Sequence, residues 1–143
     1  MIAVDTNILV YAHRRDSRWH EQALRAVEAL ANGRDAWAIP WPCVHEFYSI
    51  VTHPRIYNPP STSAQALAQL RAWRESPSLS LLAEDEDYWP VLESVLARAP
   101  VAGPAVHDAR IAALCLRHGV DELLTADRDF SRFPMLAAVN PMR

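Results

Sequence analysis

The chain has 143 residues, of which 50% are hydrophobic and 22% are charged, and its formal net charge at pH 7 is −3. A chain of this length buries about 70% of the surface it exposes when unfolded, so a core can form without disulfides or a structural metal, and the net charge excludes a polycation that binds nucleic acid over its whole surface. The three glycines are too widely spaced for a Walker loop or a dinucleotide-binding turn, because both need several glycines close together.

The N-terminal half of the chain predicts a strand, two helices, a second strand and a third helix. Residues 1–4 are a short apolar run with β-branched side chains that leads into Asp5-Thr6-Asn7, which is typical of a buried strand that ends in a turn. Thr6 or Asn7 is expected to cap the next helix with its side chain. The pattern then predicts helices at 7–13, 17–31 and 43–52, a strand at 36–39 and a proline-rich loop at 54–63.

The C-terminal half continues this alternation. The pattern predicts helices at 63–73, 87–98 and 107–118, strands at 79–82, 122–125 and 137–139, and a loop at 99–106. Thr62 or Ser63 is expected to cap the first of these helices. Strands that alternate with helices favour an α/β fold in three layers, with a central, mostly parallel sheet flanked by helices. The length predicts one domain over residues 1–143.

The sequence also predicts where the protein resides. The opening apolar run lacks a basic flank and is interrupted by Asp5, so neither a signal peptide nor a transmembrane span is expected. Cys43 and Cys115 are far apart and belong to no Cys-x-x-Cys pair. They are expected to be free, buried thiols in a cytoplasmic protein.

Four acidic residues occupy positions where surface carboxylates are unusual. Asp5 and Asp127 each follow a predicted strand, while Glu46 and Asp108 lie on apolar helix faces, each in the predicted first turn of its helix. Strand carboxyl ends and helix amino ends meet at one edge of a parallel sheet, and ligands bind there. Taken singly, Asp108 could be a helix cap, Asp127 a turn residue and Glu46 the partner of a buried arginine. Together they predict one acidic cleft.

Such a cleft predicts metal-assisted chemistry. Each close pair of carboxylates repels by about 1–4 kcal/mol at about 4 Å, depending on the effective dielectric constant. A hard divalent cation relieves this repulsion, and an all-carboxylate site selects Mg²⁺ or Mn²⁺ over zinc. The cation can activate water and stabilise a departing oxygen, which suits phosphodiester hydrolysis. A phosphoaspartyl phosphatase would need a second aspartate where Asn7 stands, and this disfavours that alternative.

These residues and their neighbours resemble PIN-domain ribonucleases, and more narrowly the VapC-type toxins of toxin–antitoxin pairs. The matching segments are Val-Asp-Thr-Asn at 4–7, Val-His-Glu-Phe at 44–47, His-Asp-Ala-Arg at 107–110 and Leu-Thr-Ala-Asp-Arg-Asp-Phe at 124–130. The segment at 52–55 and the proline-rich loop after it are similar to a mycobacterial branch. The likeness covers nearly the whole chain in the right order, and the four motifs together are specific.

The resemblance implies a Mg²⁺- or Mn²⁺-dependent endoribonuclease. It assigns Asp5, Glu46, Asp108 and Asp127 as the catalytic, metal-binding residues, with Asp5 and Asp108 as the most direct ligands. Asn7 or Thr6 would orient Asp5 or the attacking water, whereas Asp129 could either cap a short turn or reach the metal. The resemblance also implies an RNA substrate, a homodimer, and a small DNA-binding antitoxin that blocks the site and forms a heterotetramer or larger assembly with the toxin.

Two other functions use the same acidic residues. One is a PIN-domain nuclease in general RNA processing or DNA repair, which shares the chemistry but which the short chain without an appended domain disfavours. The other is a non-catalytic module whose carboxylates hold a structural ion or engage a basic partner. Tight cation binding without turnover would identify this second function.

Several residues near the motifs have two interpretations. His45 and His107 each precede a site acid, but one residue along a helix turns by about 100°, so packing or capping roles are expected. Arg14, Arg15 and Arg18 cluster after the first predicted helix, either in a solvated turn or in contact with RNA phosphates or an acidic partner. All 14 basic residues are arginine, which is explained by GC-rich coding or by phosphate recognition.

Overall fold

The computed structural model describes all 143 residues, in which five strands alternate with six α-helices. The strands are β1 (Ile2–Val4), β2 (Trp37–Pro40), β3 (Leu79–Leu82), β4 (Glu122–Leu124) and β5 (Ala137–Val139). The helices are α1 (Thr6–His13), α2 (His20–Ala31), α3 (Trp41–Val51), α4 (Ser63–Arg74), α5 (Tyr88–Arg98) and α6 (Ala105–Arg117), and a short 3-10 helix spans Arg128–Arg132.

The five strands form one sheet in the order β3-β2-β1-β4-β5, and every neighbouring pair is parallel. The prediction of an α/β fold with a central parallel sheet flanked by helices is confirmed. From the central strand β1 the chain moves outward to β2 and β3 on one side, and later to β4 and β5 on the other. The strand order therefore reverses between β1 and β4, and the carboxyl ends at such a switch point form a crevice where ligands bind.

The central strands are held by a hydrophobic core in which the buried polar side-chain atoms are paired. Trp37 on β2 is fully buried, and its indole N–H donates a hydrogen bond of 3.0 Å to the hydroxyl of Ser76. That hydroxyl donates in turn to the carbonyl of Ala31 at the end of α2, at 2.7 Å. No buried side-chain nitrogen or oxygen lacks a partner. None of the helices is long and apolar enough to span a membrane.

The start of α1 differs from the prediction. Asp5 occupies the N-cap position and Thr6 is the first helical residue, so neither Thr6 nor Asn7 caps the helix, and no side chain makes a capping hydrogen bond there. By contrast, the predicted cap of α4 is confirmed. The Thr62 side chain accepts from the backbone N–H of Gln65, whose side chain accepts from the backbone of Thr62.

Three other helices begin at residues that differ from the predictions. Helix α2 starts at His20, because residues 14–19 form turns in which the Ser17 hydroxyl accepts from the Trp19 N–H at 3.2 Å. Helix α6 starts two residues earlier than predicted, directly after Pro104. Helix α3 starts at Trp41, so Glu46 lies in the second turn of its helix and not in the first.

Candidate metal centre

The structure brings the four predicted carboxylates to the carboxyl edge of the sheet. Asp5 follows β1 and Asp127 lies three residues beyond the end of β4, while Glu46 projects from α3 and Asp108 from the first turn of α6. The charges of Glu46 and Asp127 act on Asp5, and those of Glu46 and Asp127 also act on Asp108. The cluster therefore lies at the switch point between β1 and β4.

Asp5 is the most buried of these acids, with 4% of its surface exposed. Its Oδ2 accepts a hydrogen bond of 2.7 Å from the Thr125 hydroxyl, and its Oδ1 accepts a weak one of 3.7 Å from the Cys43 thiol. Burial raises the pKa of Asp5 to about 6, even though the hydrogen bonds from the Thr125 side chain and the Thr6 backbone lower it. The nearby charges of Glu46 and Asp127 raise it further.

Thr6 and Asn7, which directly follow Asp5, each hold a neighbouring part of the cluster in place. The Thr6 hydroxyl donates to Oε2 of Glu46 at 2.9 Å, which ties α3 to the end of β1. The side-chain carbonyl of Asn7 accepts from the backbone N–H of Ala126 at 3.2 Å, which ties the end of β4 to the start of α1. The Thr6 side chain therefore orients Glu46, and the Asn7 side chain orients the segment that carries Asp127.

A second group of acids lies on the outer side of the cluster. One carboxylate oxygen each from Asp108, Asp127 and Asp129 lies within 4.8 Å of the others. Oδ1 of Asp127 accepts from the backbone N–H of Asp129 at 2.8 Å, so Asp127 caps the 3-10 helix and leaves the carboxylate of Asp129 free. The pKa of Asp108 is raised, first by burial and then by the charges of Asp127 and Asp129.

The donor set fits a hard divalent cation. The side-chain atoms available at the centre are carboxylate oxygens, which Mg²⁺ and Mn²⁺ prefer, and those of Asp108, Asp127 and Asp129 lie close enough together to share one ion. The nearest sulfur, that of Cys43, is a poor ligand, because burial raises the pKa of its thiol well above the usual range and keeps it protonated. His45 is exposed, and its Nδ1 bonds to the carbonyl of Trp41 on its own helix at 3.0 Å.

Sequence reasoning missed Thr125 and Cys43 as parts of the site. The Thr125 hydroxyl donates to Asp5 and accepts from the backbone N–H of Asp127 at 3.0 Å, so one buried side chain positions two of the acids. A signal was present, since a hydroxyl at the end of a buried strand must find a partner. Cys43 carried no such signal, because a cysteine on an apolar helix face is usually a packing residue.

The structure shows different surroundings for the three arginines that follow α1. Arg14 donates to both carboxylate oxygens of Asp16, to the Ser61 hydroxyl and to the Pro59 carbonyl, and its guanidinium lies 4.2 Å from the centre of the Tyr57 ring. It therefore fastens the proline-rich loop to α1 and is not free to bind RNA. Arg15 is exposed and Arg18 stacks on Trp19 at 4.7 Å.

The chain has clear relatives among known proteins. A sequence model of the PIN domain matches residues 2–135. The VapC ribonuclease Mb2897 of Mycobacterium bovis is 31% identical over 142 residues, which covers 99% of this chain and 96% of that protein.

Solved structures share the fold. VapBC2 from Rickettsia felis, crystallised with a DNA fragment of its promoter, superposes with a TM-score of 0.69 at 20% identity and covers 98% of both chains. VapC20 of Mycobacterium tuberculosis, a toxin that cleaves the sarcin–ricin loop, gives a TM-score of 0.65 at 18% identity, covering 92% of this chain and 93% of that one.

Proposed function

Because this chain belongs to the PIN domain family and, within it, to the VapC ribonucleases, we propose that it is a Mg²⁺- or Mn²⁺-dependent endoribonuclease and the toxin of a toxin–antitoxin pair. The observation that carries the proposal is the convergence of Asp5, Glu46, Asp108 and Asp127 on the switch-point edge of the sheet. Asp129 extends the same cluster outward.

Each acid has a distinct part in the proposed reaction. Asp5 and Asp108 would be the most direct ligands of the cation, and Asp127 and Asp129, whose carboxylates lie within 4.8 Å of that of Asp108, would complete the site. When bound, the cation would supply charge neutralisation for the phosphate and the departing oxygen. Glu46 has one oxygen, Oε2, engaged by Thr6, while its Oε1 has no protein donor. We propose that Oε1 is the general base that accepts the proton of the attacking water.

Buried hydrogen-bond donors keep this arrangement in place before substrate binds. Thr125 holds Asp5, and Thr6 holds Glu46, at 2.7 and 2.9 Å. A site that is organised in advance needs no rearrangement at the moment of reaction, and this is a main source of catalytic power. The bond from Thr125 also favours the ionised form of Asp5, which a cation requires, because it lowers the pKa of that carboxyl.

The proposed partners follow from the relatives. VapBC2, to which this fold is similar, was crystallised with promoter DNA. We propose that this chain pairs with a small DNA-binding antitoxin, that it forms a homodimer, and that it acts on RNA in the cytoplasm. The two free cysteines, Cys43 and Cys115, fit a reducing compartment.

The test is cleavage of labelled RNA by the purified protein with Mg²⁺, with Mn²⁺ and with EDTA. We expect cleavage that EDTA abolishes and that Asp108→Asn and Glu46→Gln reduce at least a hundredfold while the circular dichroism spectrum is unchanged. Asp35→Asn is the matched control, because Asp35 is an exposed acid that precedes β2 at the opposite edge of the sheet. Failure to cleave total cellular RNA with either cation would contradict the proposal, and tight cation binding without turnover would indicate the non-catalytic module instead.

The toxin role has its own test. Production of the wild-type chain in cells should arrest growth, and production of the Glu46→Gln variant should not. Mapping of cleavage sites in total RNA from the arrested cells would then identify the target. Normal growth with intact RNA would contradict the toxin role but not the nuclease activity measured in vitro.

A further inference from the structure

An open groove adjoins the metal centre on the side of β5. Its volume is about 670 Å³, within the range of about 300–1,000 Å³ that is typical of small-molecule sites. It is bounded by the end of β4, the 3-10 helix, β5 and the residues after β5. Thr125 and Asp127 belong to both the metal centre and the wall of this groove, so the two are continuous.

Two arginines lie in the polar wall of the groove. Arg128 and Arg143 line it, and neither makes an ion pair, whereas every ion pair between side chains in the protein uses other arginines. Asp127 is the only acidic residue in the lining, and the cation would neutralise it. Two free guanidinium groups beside an acidic cleavage centre are suited to phosphates that flank the scissile one.

The rest of the groove offers an apolar surface and one oriented amide. Pro134, Ala138 and Val139 line it and are exposed. The side-chain carbonyl of Asn140 accepts from the backbone N–H of Met142 at 3.0 Å, which fixes the amide and leaves its NH₂ group without a protein acceptor. An apolar platform next to a fixed donor matches a nucleobase, which has an apolar face and a polar edge.

We propose that this groove is a nucleotide subsite for single-stranded RNA beside the scissile phosphate, an inference that rests on the proposed nuclease function. Arg128 and Arg143 bind backbone phosphates, and the Asn140 amide donates to the base that lies on Pro134 and Val139. RNA is favoured over a basic peptide because the two arginines of the groove make no ion pair, whereas Asp127 belongs to the metal centre. The subsite would thus contribute to the choice of cleavage site.

The first test is the affinity of the Asp108→Asn protein, in which cleavage should be at least a hundredfold slower, for a fluorescent single-stranded RNA over a range of salt concentrations. In this background, Arg128→Ala should weaken binding about tenfold and reduce the slope of log affinity against log salt by about 0.7. Asn140→Asp keeps the acceptor for Met142 but removes the donor, and it should also weaken binding. The matched controls Arg34→Ala and Asn32→Asp alter exposed residues at the opposite edge of the sheet and should change neither quantity.

The second test uses the cleaving protein and separates this proposal from the proposed function. Arg128→Ala and Asn140→Asp should raise KM while kcat at saturating RNA and the affinity for Mn²⁺ stay within about twofold. Cross-linking of RNA that contains 4-thiouridine should label residues 128–143. If the wild-type protein cleaves RNA but the variants keep its KM, salt slope and cross-links, the subsite is wrong while the nuclease stands. Variants that lose only the binding of a partner protein would overturn the subsite as well.

A third result is informative for both proposals. If the wild-type protein cleaves no RNA but binds it with a salt dependence that Arg128→Ala reduces, the subsite is supported as an RNA-binding groove. In that case the nuclease function fails. Thermal unfolding of each variant provides the folding control.

Discussion

The hydroxyl of Thr125 donates a 2.7 Å hydrogen bond to Oδ2 of Asp5, although 120 positions separate the two residues in the chain. The bond spans the crevice between β1 and β4, where the strand order reverses. The same hydroxyl accepts from the backbone N–H of Asp127. One small side chain thereby sets the relative positions of two proposed cation ligands.

Replacement of Thr125 by valine should therefore impair the site beyond the loss of one contact. Valine has nearly the same shape but leaves the Asp127 N–H without an acceptor and Asp5 without its strongest donor, which costs about 1–3 kcal/mol in the free energy of unfolding. The pKa of Asp5 should rise further, so the acid limb of the pH–rate profile should move to higher pH. Thr52→Val is the control, because Thr52 donates to the backbone carbonyl of Tyr48 at the end of α3 and to none of the site carboxylates. An unchanged profile would contradict this role.

Replacement of Asp5 by asparagine should abolish cleavage and yet stabilise the protein when no divalent cation is present. The pKa of Asp5 is about 6 in the folded protein, whereas the ordinary value for aspartate, which applies to the unfolded chain, is 3.8. As the pH rises from about 4 to about 6, the unfolded chain loses its proton first, so the folded state loses up to about 3 kcal/mol of stability. Asparagine removes this loss.

The measurement is urea unfolding of both proteins, with and without Mg²⁺. Above about pH 7 without Mg²⁺ the Asp5→Asn variant should be the more stable, and near pH 4 the difference should vanish. Saturating Mg²⁺ should stabilise the wild type by mass action and the variant much less. A variant that is less stable than the wild type under all these conditions would contradict the assigned burial cost.

Cation affinity should depend on pH. The proton competes with the cation for Asp5, so the apparent affinity for Mn²⁺ should fall about tenfold per pH unit below about pH 6 and level off above it. Calorimetric titrations on either side of pH 6, in buffers with different ionisation enthalpies, would measure both the affinity and the protons released. The Asp5→Asn variant should show a flatter dependence. An affinity that is constant from pH 5 to pH 7 would exclude Asp5 as a ligand.

Asp129 should contribute to cation binding although it is exposed. Its carboxylate lies within 4.8 Å of those of Asp108 and Asp127, so Asp129→Asn should weaken Mn²⁺ binding roughly tenfold. Asp108→Asn should weaken Mn²⁺ binding more than Asp129→Asn does. Asp108 lies close enough to both Asp129 and Glu46 for their charges to raise its pKa, which places it between the two parts of the cluster. Titration of Mn²⁺ by electron paramagnetic resonance would give the affinity and the number of ions. If Asp129→Asn binds Mn²⁺ with the same affinity as the Asp35→Asn control, the Asp129 carboxylate is not a cation ligand.

Much of the fold could be predicted because it depends on local patterns. The short apolar run before Asp5, the proline-rich loop and the cap of α4 at Thr62 are properties of neighbouring residues, and the structure has these elements where the sequence places them. Helix boundaries were less predictable. Helix α3 begins at Trp41 because Pro42 fits its first turn, and this shift moved Glu46 into the second turn.

The sequence by itself determined the alternation of strands and helices and identified the acids that follow strands or lie on apolar helix faces. Only the tertiary structure decided which side chains hold those acids. The bonds from Thr125 to Asp5 and from Thr6 to Glu46 join residues 120 and 40 positions apart. Such contacts depend on which strands become neighbours in the sheet, a property of the whole packed chain that no local propensity encodes.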